Sequence, residues 1–333
     1  MTRKVGRIRD VASETGLSIA TISRVMNGAK NVNPDTRKRV LDACKKLDYL
    51  PNPAARALST SKSKTIAAII PTIEHSVFAK YVAAIENTLA ENGYSLVLAI
   101  SKSDLEVELT AARKLLGMGA EAFILSGATH SSDLFDLFDR RGVPYVFTSV
   151  WDKDSTVPTI GYDNRSLAKQ AVDYLKTKGH RSIAVLHGPA QESDRTLARI
   201  EGAKASGEDG LRLDFYETTL DVAGGKAAIH QALAISEDYT AALCFSDVLA
   251  LGALFGLGEA GKSIPDDVSV MGFDNLDWSE AVVPPLTTIN LPARQMGSTV
   301  ASQLMDLLET GAPLMPTELT GKILERQSVV TLK

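Results

Sequence analysis

The segment from Ser18 to Arg24 carries side chains whose types and spacing are suited to contacting nucleic acid. Hydroxyl and guanidinium groups hydrogen-bond to phosphate oxygens and base edges, and small apolar groups contact the methyl group of thymine. On a short helix, one free face would present Ser18, Ile19, Ala20, Thr21, Ser23 and Arg24. This set predicts contact with the major groove of DNA. An ordinary exposed helix is the alternative.

The residues around that face have the signals of a supporting helix pair. Gly16 lies where a tight turn needs a positive φ, and the Ser18 hydroxyl can cap the second helix. The apolar side chains that would pack beneath the pair are Val11, Ala12, Thr15, Leu17, Ile22 and Val25. The segment Val11–Gly28 therefore predicts a helix-turn-helix.

A third helix is predicted to begin at Asn33 as cap and Pro34 as first helical residue. The residues that recur at helical spacing and would complete a three-helix core are Val40, Leu41, Cys44 and Leu47. The basic residues expected to face solvent or phosphate are Arg37, Lys38, Arg39, Lys45 and Lys46.

Charge is divided unevenly along the 333 residues. Residues 1–60 contain 12 Lys and Arg against 5 Asp and Glu, whereas the rest contains 24 against 35. A basic first segment favours binding to phosphate that weakens as salt rises. It strengthens the prediction that residues 1–60 bind DNA.

Composition excludes several classes of protein. No apolar run is long enough to cross a bilayer, and the segment MTRKVGRIRD lacks the apolar stretch of a signal peptide. Cys44 and Cys244 are expected to be free thiols in a reducing cytoplasm, and no histidine or cysteine spacing suggests a metal or other cofactor.

Beyond residue 50 the pattern changes twice. Residues 51–63 are linker-like and contain PAARAL, a helix too short to be stable without a partner such as DNA. From residue 64, β-branched runs alternate with helical segments, which predicts an α/β core of two doubly wound, parallel-sheet subdomains.

Two motifs resemble those of the lactose-repressor/galactose-repressor (LacI/GalR) family of bacterial transcription regulators. The pattern V-A-x-x-x-G-[VL]-S-x-x-T-[VI]-S-R-V-[LM]-N is matched from Val11 to Asn27. The pattern Y-x-P-N-x-x-A-R-x-L is matched at Tyr49, Pro51, Asn52, Ala55, Arg56 and Leu58. The resemblance implies that Ile19 and Ala20 contact bases and that Leu58, with Ala55, is a minor-groove wedge. It adds Asn27, Asn52 and Arg56 to the DNA contacts.

The same resemblance implies the domain organisation. A small all-α head is expected at 1–50, a hinge helix and linker at 51–63, and an effector-binding and dimerisation core at 64–333. Within this periplasmic-binding-protein-like core, the N-subdomain would span about 62–162 and 291–320, and the C-subdomain about 163–290 and 321–333. A homodimer would then bind a pseudo-palindromic operator.

The cleft between the subdomains is expected to bind a small effector beyond the carboxyl ends of the strands. Candidate contacts are His75, Phe78, Ser126, Asp163, Arg195, Arg199, Ser246 and Asp274. The resemblance places Arg199 and Asp274 on the two effector contacts that recur most regularly in the family. The alternative is that they form a structural ion pair. Arg195 could indicate an acidic sugar or be a solvated side chain. Asp247 is expected to cap a helix.

The sequence therefore predicts a cytoplasmic transcriptional regulator, expected to be a repressor, whose effector is a sugar or sugar derivative. A purine corepressor is the alternative, but it needs aromatic stacking, and Val77 and Phe78 supply one ring. A sugar-binding transport protein would have no use for residues 1–60. An enzyme is not expected, because Ser126 lacks a Gly-x-Ser-x-Gly elbow and AGGKAA lacks phosphate-loop spacing.

Overall fold

The computed structural model describes residues 6–26, 28–29, 31–50, 62–74, 76–207 and 210–332. The chain divides into two compact units, Met1–Lys64 and Thr65–Lys333, here called the head and the core unit. No helix in the described ranges is long and apolar enough to span a membrane.

The head contains the three predicted helices: α1 (Ile8–Thr15), α2 (Ile19–Met26) and α3 (Pro34–Lys46). The predicted turn is confirmed, since Gly16 has a φ of 63°. The Ser18 cap is also confirmed, because its hydroxyl accepts a hydrogen bond from the Thr21 amide at 3.2 Å. Asn33 caps α3 by accepting from the Asp35 amide at 2.8 Å.

The interior of the head follows the predicted spacing with one exception. The fully buried apolar residues are Val11, Ile22, Val25, Val40, Ala43 and Cys44, and Leu47 packs at their edge. Leu41 was expected in this core, but 42% of it is exposed. Its place on α3 faces away from the other two helices.

Some basic residues of α3 hold the head together instead of facing only solvent or phosphate. Arg37 donates to the Ala29 carbonyl at 2.5 Å, and Arg39 donates to the Thr15 carbonyl. Since Thr15 ends α1, the Arg39 bond satisfies a carbonyl that the helix leaves without an internal partner. Arg39 is nevertheless exposed, as predicted, whereas Arg37 is half-buried. Sequence spacing does not show the hydrogen bonds that these two side chains make to distant backbone carbonyls.

The core unit begins with a parallel six-stranded sheet. Its strands are β1 (Thr65–Ile70), β2 (Ser95–Ile100), β3 (Ala122–Ser126), β4 (Tyr145–Thr148), β5 (Thr159–Gly161) and β11 (Thr317–Glu318), in the order β11-β5-β4-β3-β1-β2. The helices packed with it are α4 (Ser76–Glu91), α5 (Leu105–Gly117), α6 (Ser132–Arg141) and α11 (Ala293–Thr310). These elements form the first lobe.

A second six-stranded sheet forms the second lobe. Its strands are β6 (Ser182–His187), β7 (Arg212–Glu217), β8 (Ala241–Cys244), β9 (Ser269–Asp274), β10 (Thr287–Asn290) and β12 (Lys322–Leu324), in the order β12-β10-β9-β8-β6-β7. Its helices are α7 (Asn164–Thr177), α8 (Asp194–Lys204), α9 (Val222–Ile235) and α10 (Asp247–Glu259). All pairings are parallel except β10 with β12.

This topology confirms the predicted doubly wound architecture and locates its ligand-binding edge. Each sheet reverses its winding at its first strand, β1 or β6, because the next two strands in sequence flank it on opposite sides. Ligands of such sheets bind outside the carboxyl ends of the strands, near this reversal. The strand β1 is buried almost throughout, so it can carry the loop after Ile70 on a rigid support.

Candidate functional site

The head offers one exposed face on α2. The exposed residues there are Ile19, Ala20 and Arg24, together with the cap Ser18, and 45% of Ile19 is open to solvent. Thr21 and Ser23 are half-buried, and the Thr21 hydroxyl lies 2.9 Å from that of Ser18. The opposite face holds buried Ile22. The helix therefore presents small polar and apolar groups outward from a packed support.

The remaining predicted DNA contacts, and one predicted effector contact, lie outside the described residues. Asn27, Asn52, Ala55, Arg56 and Leu58 lie outside the described residues, and so does His75 of the predicted effector set. Their roles remain predictions from the sequence.

The core unit has a cleft of about 200 Å³ at the carboxyl ends of both sheets. The first lobe contributes residues that follow β1 and the start of α4, and the second lobe contributes residues that follow β6, β8 and β9. Five predicted effector contacts line it: Phe78, Arg195, Arg199, Ser246 and Asp274. The structure therefore brings together residues up to 196 positions apart in sequence.

Arg199 is a buried cation in the wall of this cleft. Its Nε donates to Asn164 Oδ1 at 3.0 Å, and its Nη1 donates to the Phe245 carbonyl at 2.6 Å. The guanidinium also lies over the Phe273 ring, 3.9 Å from the centroid. Burial lowers the pKa of Arg199 from its usual value, while the nearby Asp274 carboxylate opposes that shift. Neutral oxygens and one ring face thus hold the cation in place.

Asp274 is the buried acid of the same cleft. It ends β9, is 8% exposed and has a φ of 121°. Ser246 donates its hydroxyl hydrogen to Asp274 Oδ2 at 2.9 Å. Burial raises the pKa of Asp274 to about 7, partly opposed by the Arg199 charge. Near neutral pH this carboxyl can therefore exchange between an acceptor and a donor of hydrogen bonds.

The hydrogen bonds of Arg199 bear on two interpretations of these residues. Within the described ranges, its guanidinium bonds to Asn164 and Phe245 and makes no hydrogen bond to Asp274, although the two charges attract each other. A directly bonded structural ion pair is therefore not formed. An acid and a cation that face one cleft without a direct bond between them can both hydrogen-bond the hydroxyls of a ligand.

Two predicted contacts, Asp163 and Ser126, lie outside the cleft lining. The Asp163 side chain caps α7 by accepting from the Ser166 amide at 2.9 Å. The Ser126 hydroxyl is buried and has no hydrogen-bond partner among the residues that the structure describes. Ser126 ends β3 and Asp163 comes shortly after β5, so both lie at the carboxyl edge of the first sheet without lining the cleft. Their contacts with an effector stay predictions.

At the start of α10 the helix cap is Ser246, which also lines the cleft as predicted, and not Asp247. Ser246 caps the helix by accepting from the Val248 amide at 3.2 Å. Asp247 was expected to be the cap, but it is fully buried and accepts from the Leu276 amide at 2.8 Å and the Thr288 hydroxyl at 2.6 Å. Asp247 therefore ties the loop after β9 to β10 behind the cleft.

Sequence reasoning missed several cleft residues. Ser149 and Tyr162 line the cavity, and Asn164 joins Arg199 to the first lobe, because its Nδ2 donates to the Ser149 carbonyl at 2.9 Å. Ser149 and Tyr162 directly follow β4 and β5, so the strand-end rule used for Asp274 could have found them. No group of acids, histidines or cysteines that could hold a metal occurs among the described residues.

Family models match both units of the chain. Residues 63–319 match the periplasmic binding proteins and sugar binding domain of the LacI family. Residues 7–52 match the bacterial regulatory proteins of the lacI family. The cleft lies inside the first match, and the exposed face of α2 lies inside the second.

Individual relatives span nearly the whole chain. The HTH-type transcriptional regulator RegA of Clostridium saccharobutylicum is 31% identical, over 97% of this chain and 99% of its own. The lac repressor dimer bound to operator and the anti-inducer ONPF has a TM-score of 0.87 at 27% identity, covering 98% of this chain and 100% of that one. A complex of the regulator CelR with cellobiose has a TM-score of 0.69 at 28% identity, covering 97% and 99%. This chain therefore belongs to the lacI family of bacterial transcriptional regulators.

Proposed function

We propose that this regulator represses transcription by binding a pseudo-palindromic DNA operator as a homodimer, and that a sugar or sugar derivative in the cleft controls its affinity for that operator. The observation that carries the effector part is the buried pair Arg199 and Asp274, which share a cavity without bonding to each other. Such a pair can grip neighbouring hydroxyls from both sides.

The size and lining of the cleft favour a small sugar. Its volume of about 200 Å³ lies below the roughly 300–1,000 Å³ of typical ligand pockets, which suits a molecule of monosaccharide size. Phe78 is half-buried in the lining and offers an apolar face for a sugar ring. The cellobiose complex of CelR supports a carbohydrate as the ligand class.

A purine corepressor fits this cleft less well. A flat base would be expected to stack between aromatic rings, but Tyr81 and Phe245 are 1% and 3% exposed and belong to the packed interior. Phe78 is the half-buried ring among the phenylalanines of the lining. Purines are therefore retained as one arm of the binding test.

A ligand in the cleft can act on the DNA-binding end by changing how the lobes meet. The lobes already touch through polar contacts: Lys80 pairs with Asp277 at 2.8 Å, and the Ala128 amide donates to Asp194 at 2.6 Å. A sugar bound by both lobes would favour one arrangement of these contacts. Coupling between effector and operator of about 1–3 kcal/mol is typical, and it is reciprocal.

The DNA-binding part of the proposal assigns base contacts to Ile19 and Ala20, and a minor-groove wedge to Leu58. The exposed face of α2 and the lac repressor–operator complex support it. We expect Leu58→Gly to abolish specific operator binding and to leave effector affinity unchanged. Sedimentation should show a dimer on the operator. A monomer bound to one half-site at full affinity would contradict the proposal.

The function proposed is regulated binding and not catalysis. The regulators among its relatives support this assignment. Because its target is chromosomal DNA, we propose that the protein acts in the bacterial cytoplasm.

Thermal unfolding of the full-length protein with neutral sugars, sugar acids, sugar phosphates and purines tests the effector. A ligand that binds only the folded state raises the melting temperature, and the rise grows with the logarithm of its concentration relative to its Kd. We expect one sugar class to raise it, to change operator binding measured by fluorescence anisotropy, and to lose both effects in Asp274→Asn. The matched control is Asp266→Asn at an exposed acid of the same lobe. A shift caused only by purines would replace the sugar in this proposal.

A further inference from the structure

A second guanidinium, that of Arg195, projects into the cleft from the first turn of α8. Only 14% of its side chain is exposed, and its Nη1 donates to Asp194 Oδ1 at 3.0 Å. The same oxygen accepts from the Arg195 amide at 2.7 Å. The other oxygen of Asp194 accepts from the Ala128 amide in the first lobe. Arg195 is therefore held in place and is not a freely solvated side chain.

The first lobe is shaped to admit this guanidinium. A Cβ atom on Gly127 would lie 2.3 Å from Arg195 Nη1 and 2.9 Å from Asp194 Oδ2. Gly127 also has a φ of 92°, which side-chain-bearing residues rarely adopt. The glycine thus leaves the space in which the Asp194–Arg195 pair meets the opposite lobe.

Most hydrogen-bonding capacity of Arg195 is unused by the protein. Arginine offers five N–H groups in a fixed fork, and among the described residues only Nη1 of Arg195 has an acceptor. Leaving charged donors unpaired in a largely buried site is unfavourable. The Nε and Nη2 groups of Arg195 therefore have no acceptor oxygen among the described residues.

The second cation makes an anionic partner favourable. Arg199 lies in the same cleft and, within the described ranges, its hydrogen bonds go to neutral oxygens alone, while the Arg195 charge contributes to lowering its pKa. Asp194 offsets part of the Arg195 charge. Of the acids that line the cavity, Asp274 is about half protonated near pH 7, because its pKa is raised to about 7, and Glu192 is exposed. Two guanidinium groups in a small cavity would be stabilised by a carboxylate or phosphate, which accepts from such forks in pairs.

We propose that Arg195 selects effectors that carry an anionic substituent, so that the ligand is a sugar acid or a sugar phosphate of monosaccharide size. This inference rests on the proposed sugar-binding function of the cleft. In it, Arg199 and Asp274 bind ring hydroxyls, and Arg195 binds the anionic group at the boundary between the lobes.

Isothermal titration of the full-length protein with matched sugars tests the selection. The probes are D-glucose, D-glucuronate and D-glucose 6-phosphate, then the corresponding galactose series, all in one buffer. We expect one of the anionic members to bind at least tenfold more tightly than its neutral parent. The two anionic arms decide between carboxylate and phosphate.

Variants of Arg195 distinguish a loss of preference for anionic sugars from a general loss of sugar affinity. Arg195→Gln should lower affinity for the preferred anion at least tenfold and change affinity for the neutral parent less than threefold. Arg195→Lys, which keeps the charge without the fork, should retain part of the preference. Arg165→Gln removes an exposed arginine of the same lobe and should leave all affinities unchanged.

Each contrary outcome has a distinct meaning. If neutral sugars bind as tightly as their acids and phosphates, or if Arg195→Gln weakens both classes equally, the selection by Arg195 is wrong while a sugar effector stands. If neither these two series nor the neutral sugars, sugar acids and sugar phosphates of the thermal-unfolding screen bind, both this inference and the sugar-binding proposal are wrong.

Discussion

The side chains proposed to bind DNA on α2 and those proposed to bind an effector in the cleft differ in how deeply they are buried. On α2, Ile19 and Arg24 are exposed, and Ile22 on the reverse face holds the fold together. In the cleft, Arg199 and Asp274 are only 9% and 8% exposed, so the groups proposed to bind ligand also belong to the folded interior. We therefore expect binding and stability to be separable on α2 and coupled in the cleft.

The largest effect on stability should come from a substitution on the buried face of α2, and a substitution on its exposed face should affect operator binding instead. Ile22→Ala empties a fully buried position and should destabilise the head by about 2–5 kcal/mol. Ile19→Ala should change stability by less than about 0.5 kcal/mol while weakening operator binding. Hydrogen exchange of the α1–α3 amides in the full-length protein measures the first effect, and fluorescence anisotropy the second. Equal loss of amide protection in both variants would break the comparison.

Because Asp274 is buried as well as proposed to bind ligand, we expect its ionisation to lower the stability of the fold. Burial raises its pKa from 3.8 to about 7. The protonated form therefore contributes stability that is fully present below about pH 4 and lost as pH rises through 7. Asp274→Asn does not titrate, so its stability relative to the parent should increase by roughly 2–4 kcal/mol between pH 4 and pH 8.5.

Urea unfolding of both proteins at several pH values measures the difference in their free energy of unfolding. The exposed variant Asp266→Asn is the control and should show no such trend. If the difference in free energy of unfolding between Asp274→Asn and the parent stays constant with pH, the carboxyl does not titrate near neutrality. Binding and stability would then not be coupled through its ionisation.

A smaller effect is expected on effector affinity. Only the ionised Asp274 accepts hydrogen bonds through both oxygens, so affinity for a neutral sugar that binds should rise about tenfold between pH 6 and pH 8, as ionisation passes through a pKa of about 7. Titration calorimetry of the wild type and of the exposed control Asp266→Asn at pH 6, 7 and 8 checks this, and both proteins should show the same rise. An affinity that stays constant or falls over this range would contradict the role of the ionised carboxylate.

The smallest effect should be found at Ser126, at the same edge of the first sheet but outside the cleft. Its hydroxyl is buried without a partner, so Ser126→Ala should leave stability unchanged or raise it by up to about 1 kcal/mol. Effector affinity should not change. A clear loss of affinity would return Ser126 to the binding site, as the sequence had suggested.

Local signals explain why much of the fold was predictable. The Gly16 turn, the Ser18 cap and the Asn33–Pro34 helix start depend on residues within a few positions of each other. The alternation of buried runs with helical segments likewise predicts parallel sheets from the sequence alone. The return of residues 321–333 to the second lobe was expected from the family resemblance, and β12 lies there. Its antiparallel direction was not predicted, because the pairing with β10 joins distant segments.

The site was predictable only to the level of the sheet edge. Asp163, Ser126 and Asp274 all come at strand ends, yet only Asp274 lines the cleft. At Asp163 the nearest amides are those of its own helix, and the carboxylate caps them instead of reaching the cavity. The choice between Ser246 and Asp247 as helix cap was likewise decided by β10, whose Thr288 bonds to Asp247.

The sequence by itself determined the helix-turn-helix, the doubly wound core and the edge where a ligand would bind, because these follow from short-range capping, turn and periodicity rules. Only the tertiary structure decided which side chains meet there. Arg195 is held at Gly127, 68 positions earlier, and Arg199 bonds to Asn164 and Phe245 instead of Asp274. Such contacts depend on the packing of two lobes, which no local rule contains.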